Sequence, residues 1–225
     1  PWLPPVRGAR ASAMSSAIEI VHQDSCILVV NKPADLLAVP GRGPNKQDCV
    51  VSRVRSLVPE LIEQPAVHRL DQQTSGLMVL ALQATAHQNL SRQFQHRRVV
   101  KRYVAIVDGV VVPESGRITL PFRLDPDNRP HQIYDPVNGR EAITLWRKIE
   151  RHKHRTRIDF TPLTGRTHQL RVHSAHPCGL DAPIVGDRLY GTGKSGETLL
   201  LHACYLSFNH PADDRIVEFH SEPHF

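Results

Sequence analysis

The sequence predicts an α+β fold with a mixed, mostly antiparallel central sheet and flanking helices. Segments with strand patterns greatly outnumber those with helical periodicity, and the two kinds do not alternate in the regular β-α-β order of a parallel sheet. With 225 residues, of which 40% are hydrophobic, the chain is long enough to bury a substantial core. We therefore expect one domain over residues 18–225. Residues 1–17, which contain Pro, Arg and Ser but no long apolar run, are predicted to form a disordered tail.

Two helices are predicted among short strands in the first half of the chain. The first has apolar residues at helical spacing and ends before Pro59; these residues are Val50, Val51, Val54, Leu57 and Val58. The second is expected over residues 85–97, with Ala86, Leu90 and Phe94 one turn apart on its inward face. Strands are expected at residues 18–21, 26–30, 67–70 and 77–82.

The second half of the chain is predicted to be mostly strands. Turn signals separate the segments 101–107, 118–120, 131–134, 142–149, 155–160, 199–208 and 216–219. One short helix is expected between them, capped by Thr164 and Gly165 and ending at Pro177.

The charge balance favours a polyanionic partner. Lys and Arg together number 28 against 22 Asp and Glu, a formal net charge of +6, and phosphate contacts release counterions. The four cysteines form no CxxC pair, which argues against a disulfide scaffold or zinc knuckle and for a reducing, cytoplasmic compartment. No apolar run approaches the roughly 18 residues of a membrane helix, so no membrane partner is expected.

A carboxylate directly follows the predicted strand over residues 67–70. In the stretch His68-Arg69-Leu70-Asp71, Asp71 opens a polar loop that closes at Gly76. A loop at a strand end is where a rigid sheet can present a reactive group to a ligand. The residues alone leave two interpretations open: Asp71 acts on a ligand, or it caps a turn beside a solvated Arg69.

A second dense set of polar side chains lies in residues 164–173. His168 and Arg171 are three positions apart and would share a helix face. A metal site is disfavoured because His168 and His173, five apart, lie roughly 140° from each other around a helix, and no carboxylate is interleaved. A surface helix with satisfied histidines remains an alternative. A third motif, Lys101-Arg102-Tyr103, begins a strand, where Tyr103 could equally be a packing residue.

Together these stretches resemble the RluA family of pseudouridine synthases. The signature of that family is H-R-L-D followed by T-S-G, then a K-x-Y strand and a G-R-x-H-Q-[LI]-R-x-H segment. The chain carries matching residues, in the same order, at 68–71 with 74–76, 101–103 and 165–173. The likeness runs from about residue 18 to the end of the chain and includes Asn31-Lys32-Pro33, 184–187 and 201–203.

The resemblance implies roles for individual residues and a deep basic cleft in the sheet. Asp71 corresponds to the catalytic aspartate, Arg171 to the basic residue that pairs with it, and Tyr103 to the aromatic residue that stacks on the target uracil. Arg69 resembles the arginine that fills the gap left by a flipped nucleotide. Further RNA contacts are expected from His68, Arg166, His168, Gln169, Arg92, Arg97, Arg98, Lys101 and Arg102. A second basic cluster, equally consistent with a solvated surface, is predicted on a hairpin tip at residues 151–155 and 157.

Pseudouridine formation breaks the N1–C1′ bond of uridine, turns the base and rejoins it through C5. Nothing is oxidised and no group is imported, so neither cofactor nor metal is expected. Asp71 could attack C1′ or remove a proton from C2′, and the sequence leaves both routes open.

RNA is the expected partner of a monomeric enzyme. With about 17 residues before the first predicted strand, no separate RNA-binding module is expected there. Residues 37–42 and 128–132 resemble stretches of short family members that modify 23S ribosomal RNA and the transfer RNA anticodon stem-loop. One departure is a longer connection over residues 173–187. A non-catalytic RNA-binding protein or RNA chaperone is the main alternative; a glycoside hydrolase would need a second carboxylate in a comparable motif.

Overall fold

The computed structural model describes residues 18–225, and the predicted tail over residues 1–17 lies outside the described residues. Three α-helices are present there: α1 (Val50–Leu57), α2 (Ala84–Gln95) and α3 (Gln169–Ala175). The strands are β1 (Glu19–Gln23), β2 (Ile27–Lys32), β3 (Ser75–Ala81), β4 (Val100–Asp108), β5 (Ser115–Leu124), β6 (Gln132–Tyr134), β7 (Arg140–His152), β8 (Arg155–Pro162), β9 (Leu201–Asn209) and β10 (Ile216–His220). Within residues 18–225, no helix is long and apolar enough to span a bilayer.

All ten strands join one sheet. Its order is β1-β2-β3-β9-β4-β8-β7-β5-β6, and β10 pairs with the free part of β9. Among the strand pairs of residues 18–225, only β3 and β9 run parallel, over Ser75–His202 and Gly76–Ala203. The prediction of a mixed, mostly antiparallel sheet with flanking helices is therefore confirmed.

Three apolar clusters hold helices against this sheet. Buried side chains of β2 and β3 alternate between its two faces, so that Leu28 and Val30 pack with α1 while Ile27 and Val29 pack with α2. The third cluster joins β4, β5, β7 and β8 to Leu170 of α3. Both faces of the central strands are thus covered, which explains why β3 reads as a continuous apolar run.

The strand predicted at residues 67–70 is absent, which corrects that assignment. Only Ala66 forms an isolated bridge, to Leu80, and the following residues turn away from the sheet. The His68 ring instead satisfies a backbone donor of β3 that a neighbouring strand would otherwise bind. Its Nε2 accepts a hydrogen bond from the backbone N–H of Val79 at 3.0 Å.

The predicted cap of the third helix is also wrong. Helix α3 begins at Gln169, after His168, whose φ of 57° lies in the left-handed region. Thr164 is buried and its hydroxyl donates instead to the side chain of Gln169 at 2.7 Å. The helix ends at Ala175, before an extended His176, as expected for a residue that precedes proline.

Candidate active site

A cleft of about 670 Å³ opens between the loop that follows residue 66, the end of α2 and the loop that leads into α3. Strands β4, β8 and β9 form its floor. Its lining includes most of the residues expected to act on RNA: His68, Arg69, Asp71, Arg97, Lys101, Tyr103, Arg166, His168, Gln169 and Arg171. Three motifs that are far apart in sequence therefore meet in one cavity.

Asp71 lies between two potentially positive groups. Its Oδ2 is 4.0 Å from Nη1 of Arg171, and its Oδ1 is 4.0 Å from Nε2 of His168. The Asp71 side chain is 27% exposed, whereas that of Arg171 is only 3% exposed. The carboxylate is thus accessible from the cleft, and the guanidinium beneath it is fixed within the protein.

Arg171 is held by Asp187 through a bidentate ion pair. Its Nε and Nη2 donate to the two carboxylate oxygens at 2.8 and 2.6 Å. Asp187, which is fully buried, also accepts from the backbone N–H groups of Leu189 and Tyr190. Burial alone would raise the pKa of Asp187, but the bonds from Arg171 bring it below its ordinary value. Arg171 therefore remains charged and directed at Asp71.

The loop that carries Asp71 is fixed at both ends. Near its start, the ammonium of Lys32 donates to the carbonyl of Gln72 at 2.9 Å, and to the carbonyls of Pro33 and Leu36. Lys32 is fully buried, and this burial lowers its pKa to about 7 even though the Asp71 carboxylate acts in the opposite direction. The carboxylate loop is therefore attached to β2 by a buried cation.

At the end of the same loop, Gly76 has a φ of 112° and lies against the backbone of Ala203. A Cβ there would come within 2.4 Å of the Ala203 carbonyl oxygen, so only glycine fits the point where β3 joins β9. The neighbouring Ser75 hydroxyl bonds to Nδ1 of His202 at 2.8 Å. This junction determines where the Asp71 loop leaves the sheet.

Tyr103 and Lys101 contribute the floor of the cleft from β4. Burial, together with the Asp71 carboxylate, raises the pKa of Tyr103 above its ordinary range, so its hydroxyl stays protonated. Burial lowers the pKa of Lys101.

On the wall opposite, the His68 ring stacks on Phe94 with centroids 4.5 Å apart, and burial lowers the pKa of His68 to about 3. His68 is therefore a neutral wall residue that accepts from Val79.

His168 is held by a tyrosine from a distant loop. Its Nδ1 is 2.8 Å from the hydroxyl of Tyr190, which also accepts from the backbone N–H of Gln132 at 2.8 Å. The Arg171 guanidinium lies 5.4 Å from the centroid of the Tyr190 ring. Burial lowers the pKa of His168, so its neutral form is favoured beside Asp71.

Comparison with known proteins agrees with this geometry. The family model described as RNA pseudouridylate synthase matches residues 26–176. The dual-specificity RNA pseudouridine synthase RluA of Pasteurella multocida is 39% identical over 92% of this chain and 94% of its own length. The corresponding protein of Escherichia coli K12 is 40% identical over 92% of this chain and 93% of its own. The chain belongs to the RluA family of RNA pseudouridine synthases.

Solved structures show the same fold. Human RNA pseudouridylate synthase domain containing 1 aligns with a TM-score of 0.76 and 28% identity, covering 95% of this chain and 86% of that one. Human RNA pseudouridylate synthase domain containing 4 aligns with a TM-score of 0.72 and 27% identity, covering 91% and 88%. The chain is thus an isomerase of the RluA family with the pseudouridine synthase α+β fold.

The structure does not bring every predicted RNA contact of this synthase to the cleft. Arg102 lies next to Tyr103 on β4, so its side chain points to the face of the sheet opposite the cleft. There it is paired with the buried Asp159. Arg92 and Arg98 also lie outside the lining of the cleft, whereas Arg97 turns into it with a φ of 58°.

Gln169 lines the cleft but has no free polar atom to offer a ligand. Its Oε1 accepts from the Thr164 hydroxyl and the Arg166 backbone N–H, at 2.7 and 3.0 Å. Its Nε2 donates to the Ile143 carbonyl and the Thr144 hydroxyl, at 3.0 and 2.9 Å. Gln169 therefore supports the loop that carries Arg166 and His168, and its contact with RNA stays a prediction.

Three residues of the RluA-family site were missed from the sequence. Lys32 and Asp187 lie in stretches that resemble the family, yet nothing local marks a lysine or an aspartate as buried next to the reactive carboxylate. Tyr190 follows Asp187 by three residues and gave no signal. An aspartate within an otherwise apolar stretch, as at residues 184–187, is the one feature that could have indicated a buried partner for an arginine.

Proposed function

We propose that this synthase isomerises selected uridines in folded ribosomal and transfer RNA and that Asp71 is its catalytic carboxylate. The proposal for both RNA classes is supported by relatives named dual-specificity enzymes that align over nearly their whole length. The single observation that carries the catalytic assignment is the partly exposed Asp71 at the centre of the cleft, with the buried Arg171–Asp187 pair beneath it.

In this proposal the target nucleotide leaves its stack and enters the cleft. Tyr103 provides an aromatic face for the uracil, and such stacking contributes about 1–3 kcal/mol per base. Arg69, which is exposed at the rim, fills the space in the RNA. Unstacking costs a few kcal/mol, least in a loop, and stem-loops are therefore favoured substrates.

Asp71 then acts at the ribose, either as a nucleophile at C1′ or as a base at C2′. In either route the N1–C1′ bond breaks, the uracil turns within the cleft, and C5 bonds to C1′. As C5 bonds, the bond from Asp71 to C1′ breaks in the first route, and C2′ regains its proton from Asp71 in the second. The proton released from C5 passes to solvent and N1 gains one, so substrate and product are isomers. The fixed Arg171 guanidinium, 4.0 Å from Asp71, places a positive charge beside the carboxylate in both routes.

The remaining RNA contacts are proposed for basic side chains that line the cleft, namely Arg69, Arg97, Lys101 and Arg166. We further propose that the enzyme acts as a monomer, because residues 18–225 supply the complete set of Asp71, Tyr103 and Arg171 to the cleft. A cytoplasmic location is proposed because the four cysteines form no CxxC pair. Light scattering of the purified protein, with and without RNA, measures its mass and so tests whether it is a monomer.

The test is release of tritium from RNA labelled at uridine C5. We expect Asp71→Asn to reduce turnover by roughly three orders of magnitude or more, because the amide is neither a nucleophile nor a base. Asp71→Asn should still bind RNA, and Asp127→Asn, which alters an exposed carboxylate outside the cleft, should match the wild type. Equal turnover of Asp71→Asn and wild type would overturn the assignment, and site mapping would identify the modified uridines.

A further inference from the structure

A strongly basic surface lies at the turn between β7 and β8, away from the cleft. The tip cluster consists of Arg151, His152, Lys153, His154, Arg155 and Arg157. Its turn is Lys153 and His154, and Lys153 has a φ of 52°. Residues 151–154 are all exposed, so four consecutive basic or titratable side chains project from the end of one hairpin.

The positive charge of the chain is concentrated at this hairpin. Residues 147–157 contain six Lys or Arg against one Glu, a net +5 in 11 residues, compared with +6 for all 225. Some of this charge is balanced, because Lys148 contacts Glu114 and Arg155 Nε is 3.8 Å from Asp108. Arg147 Nη2 is likewise 3.6 Å from Asp159. Within residues 18–225, Arg151 and Lys153 have no carboxylate partner, so their charge is available to a ligand.

The tip cluster also borders a recess of about 200 Å³. Ile106 lines it from β4, Arg155, Thr156 and Arg157 from β8, and Arg151, His152 and the carboxylate-bearing Glu150 from β7. Arg157 is held in place, since its Nη1 donates to the Phe225 carbonyl at 2.7 Å. Arg155 Nε is buried and lacks a hydrogen-bond partner within residues 18–225. The groups that an anionic ligand could meet here are the fixed Arg157 guanidinium and the exposed Arg151, since Arg155 Nε is inaccessible and faces Asp108.

The register of β4 and β8 separates this surface from the cleft. Tyr103 pairs with Phe160 at the cleft, and Asp108 pairs with Arg155 at the tip. The two pairs are five residue steps apart along the strand, which corresponds to about 17 Å. Arg155 and Arg157 also alternate with Thr156 and Ile158, whose side chains are buried in the core. A nucleotide in the cleft therefore cannot reach the tip cluster, but another part of the same RNA can.

We propose that the tip cluster binds a second segment of phosphate backbone in the RNA substrate, outside the stem-loop whose nucleotide enters the cleft. This inference rests on the proposed function, in which folded RNA is the substrate. RNA is favoured over an anionic membrane because residues 151–157 contain no aliphatic or aromatic side chain that could insert into a bilayer. Regularly spaced phosphates match a row of guanidinium and ammonium groups.

Binding is measured in an Asp71→Asn background, in which turnover is expected to be strongly reduced, to a transfer RNA and to its isolated anticodon stem-loop. The tip variant is Arg151→Gln with Lys153→Gln, and its matched control is Lys46→Gln with Lys194→Gln, two exposed lysines outside both surfaces. We expect the tip variant to bind transfer RNA roughly tenfold more weakly. For the tip variant, the slope of log affinity against log salt concentration should fall in magnitude by about 2, one for each lost phosphate contact. Stem-loop binding and the control should be unchanged.

Three outcomes would overturn the proposal. Unchanged affinity for transfer RNA would show that the tip is a solvated surface, and equal weakening for both RNAs would show that it contacts the stem-loop itself. Loss of binding to vesicles of phosphatidylcholine and phosphatidylglycerol, with transfer RNA binding intact, would assign the tip to membranes. A failure of the proposed function would look different from a failure of the tip proposal. In that case the enzyme with native Asp71 would show no turnover, with or without the tip substitutions.

Discussion

Arg171 shows how a single side chain in this site depends on partners that lie far from it in sequence. Its guanidinium is buried, and a buried charge is stable only when it is paired and hydrogen-bonded. Asp187 supplies that pair from the loop before β9, and Gln73 adds an acceptor at 3.3 Å from the Asp71 loop. The position of Arg171 next to Asp71 is therefore determined by Asp187, which acts through Arg171 as a positioning residue.

Asp187→Asn tests this role. The amide cannot balance the buried guanidinium, so we expect a loss of about 3–5 kcal/mol in the free energy of unfolding. Under conditions where the variant is fully folded, kcat should fall by roughly tenfold or more while RNA affinity changes little. Chemical denaturation and tritium release measure the two effects. Asp35→Asn is the control, because it breaks an exposed pair with Arg188 and should change stability by less than about 0.5 kcal/mol.

At the scale of elements, the loop that leads into α3 differs most from its sequence-based prediction. Residues 164–168 do not form a capped first turn; they bulge into the cleft, and His168 adopts a left-handed conformation. Gln169 makes this possible, because four hydrogen bonds tie the beginning of α3 to β7 and to the loop itself. Its amide replaces the cap that Thr164 was expected to supply.

A pair of substitutions separates support of this loop from contact with RNA. Gln169→Leu leaves several buried partners without hydrogen bonds, and we expect it to lower the free energy of unfolding by about 3 kcal/mol. Arg166→Gln removes a charge at the mouth of the cleft and should weaken RNA binding while stability stays the same. Denaturation curves and RNA titrations of both variants check this division. A stable Gln169→Leu protein with weakened RNA binding would instead support the predicted contact between Gln169 and RNA.

The whole molecule carries buried histidines that link its stability to pH. His173 is fully buried under Phe122, and neither of its ring nitrogens has a hydrogen-bond partner within residues 18–225. Burial lowers its pKa to about 4, and burial also lowers the pKa of His202 to about 4. Both histidines are therefore neutral in the folded protein at pH values where they would be protonated in the unfolded chain.

The sign of the resulting pH dependence follows from proton binding. Below the unfolded pKa of about 6.5, the unfolded chain binds more protons, so stability is complete above that pH and is lost as the pH falls toward 4. Each histidine contributes about 1.4 kcal/mol per pH unit across this window. Urea denaturation at a series of pH values should show the loss. His173→Leu should reduce the slope of the unfolding free energy against pH by the equivalent of about one bound proton.

The sequence alone determined the family of folds and the three motifs that carry the chemistry. Both depend on residue types that are close together: strand and helix periodicity, and the motifs around Asp71, Tyr103 and Arg171. Helix α2 and most strands were likewise predicted within a few residues. The segment at 67–70 failed because the competing hydrogen bond comes from the His68 ring rather than from a strand.

Only the tertiary structure decided which polar residues serve the site and which hold it in place. Lys32, Asp187 and Tyr190 meet the Asp71 loop because β2, β3 and β9 lie side by side and the loop before β9 packs under α3. Arg102 and Tyr103 are adjacent in sequence but belong to opposite faces of the sheet. Burial and pairing of this kind arise where distant segments cross, and no local pattern of residues encodes that crossing.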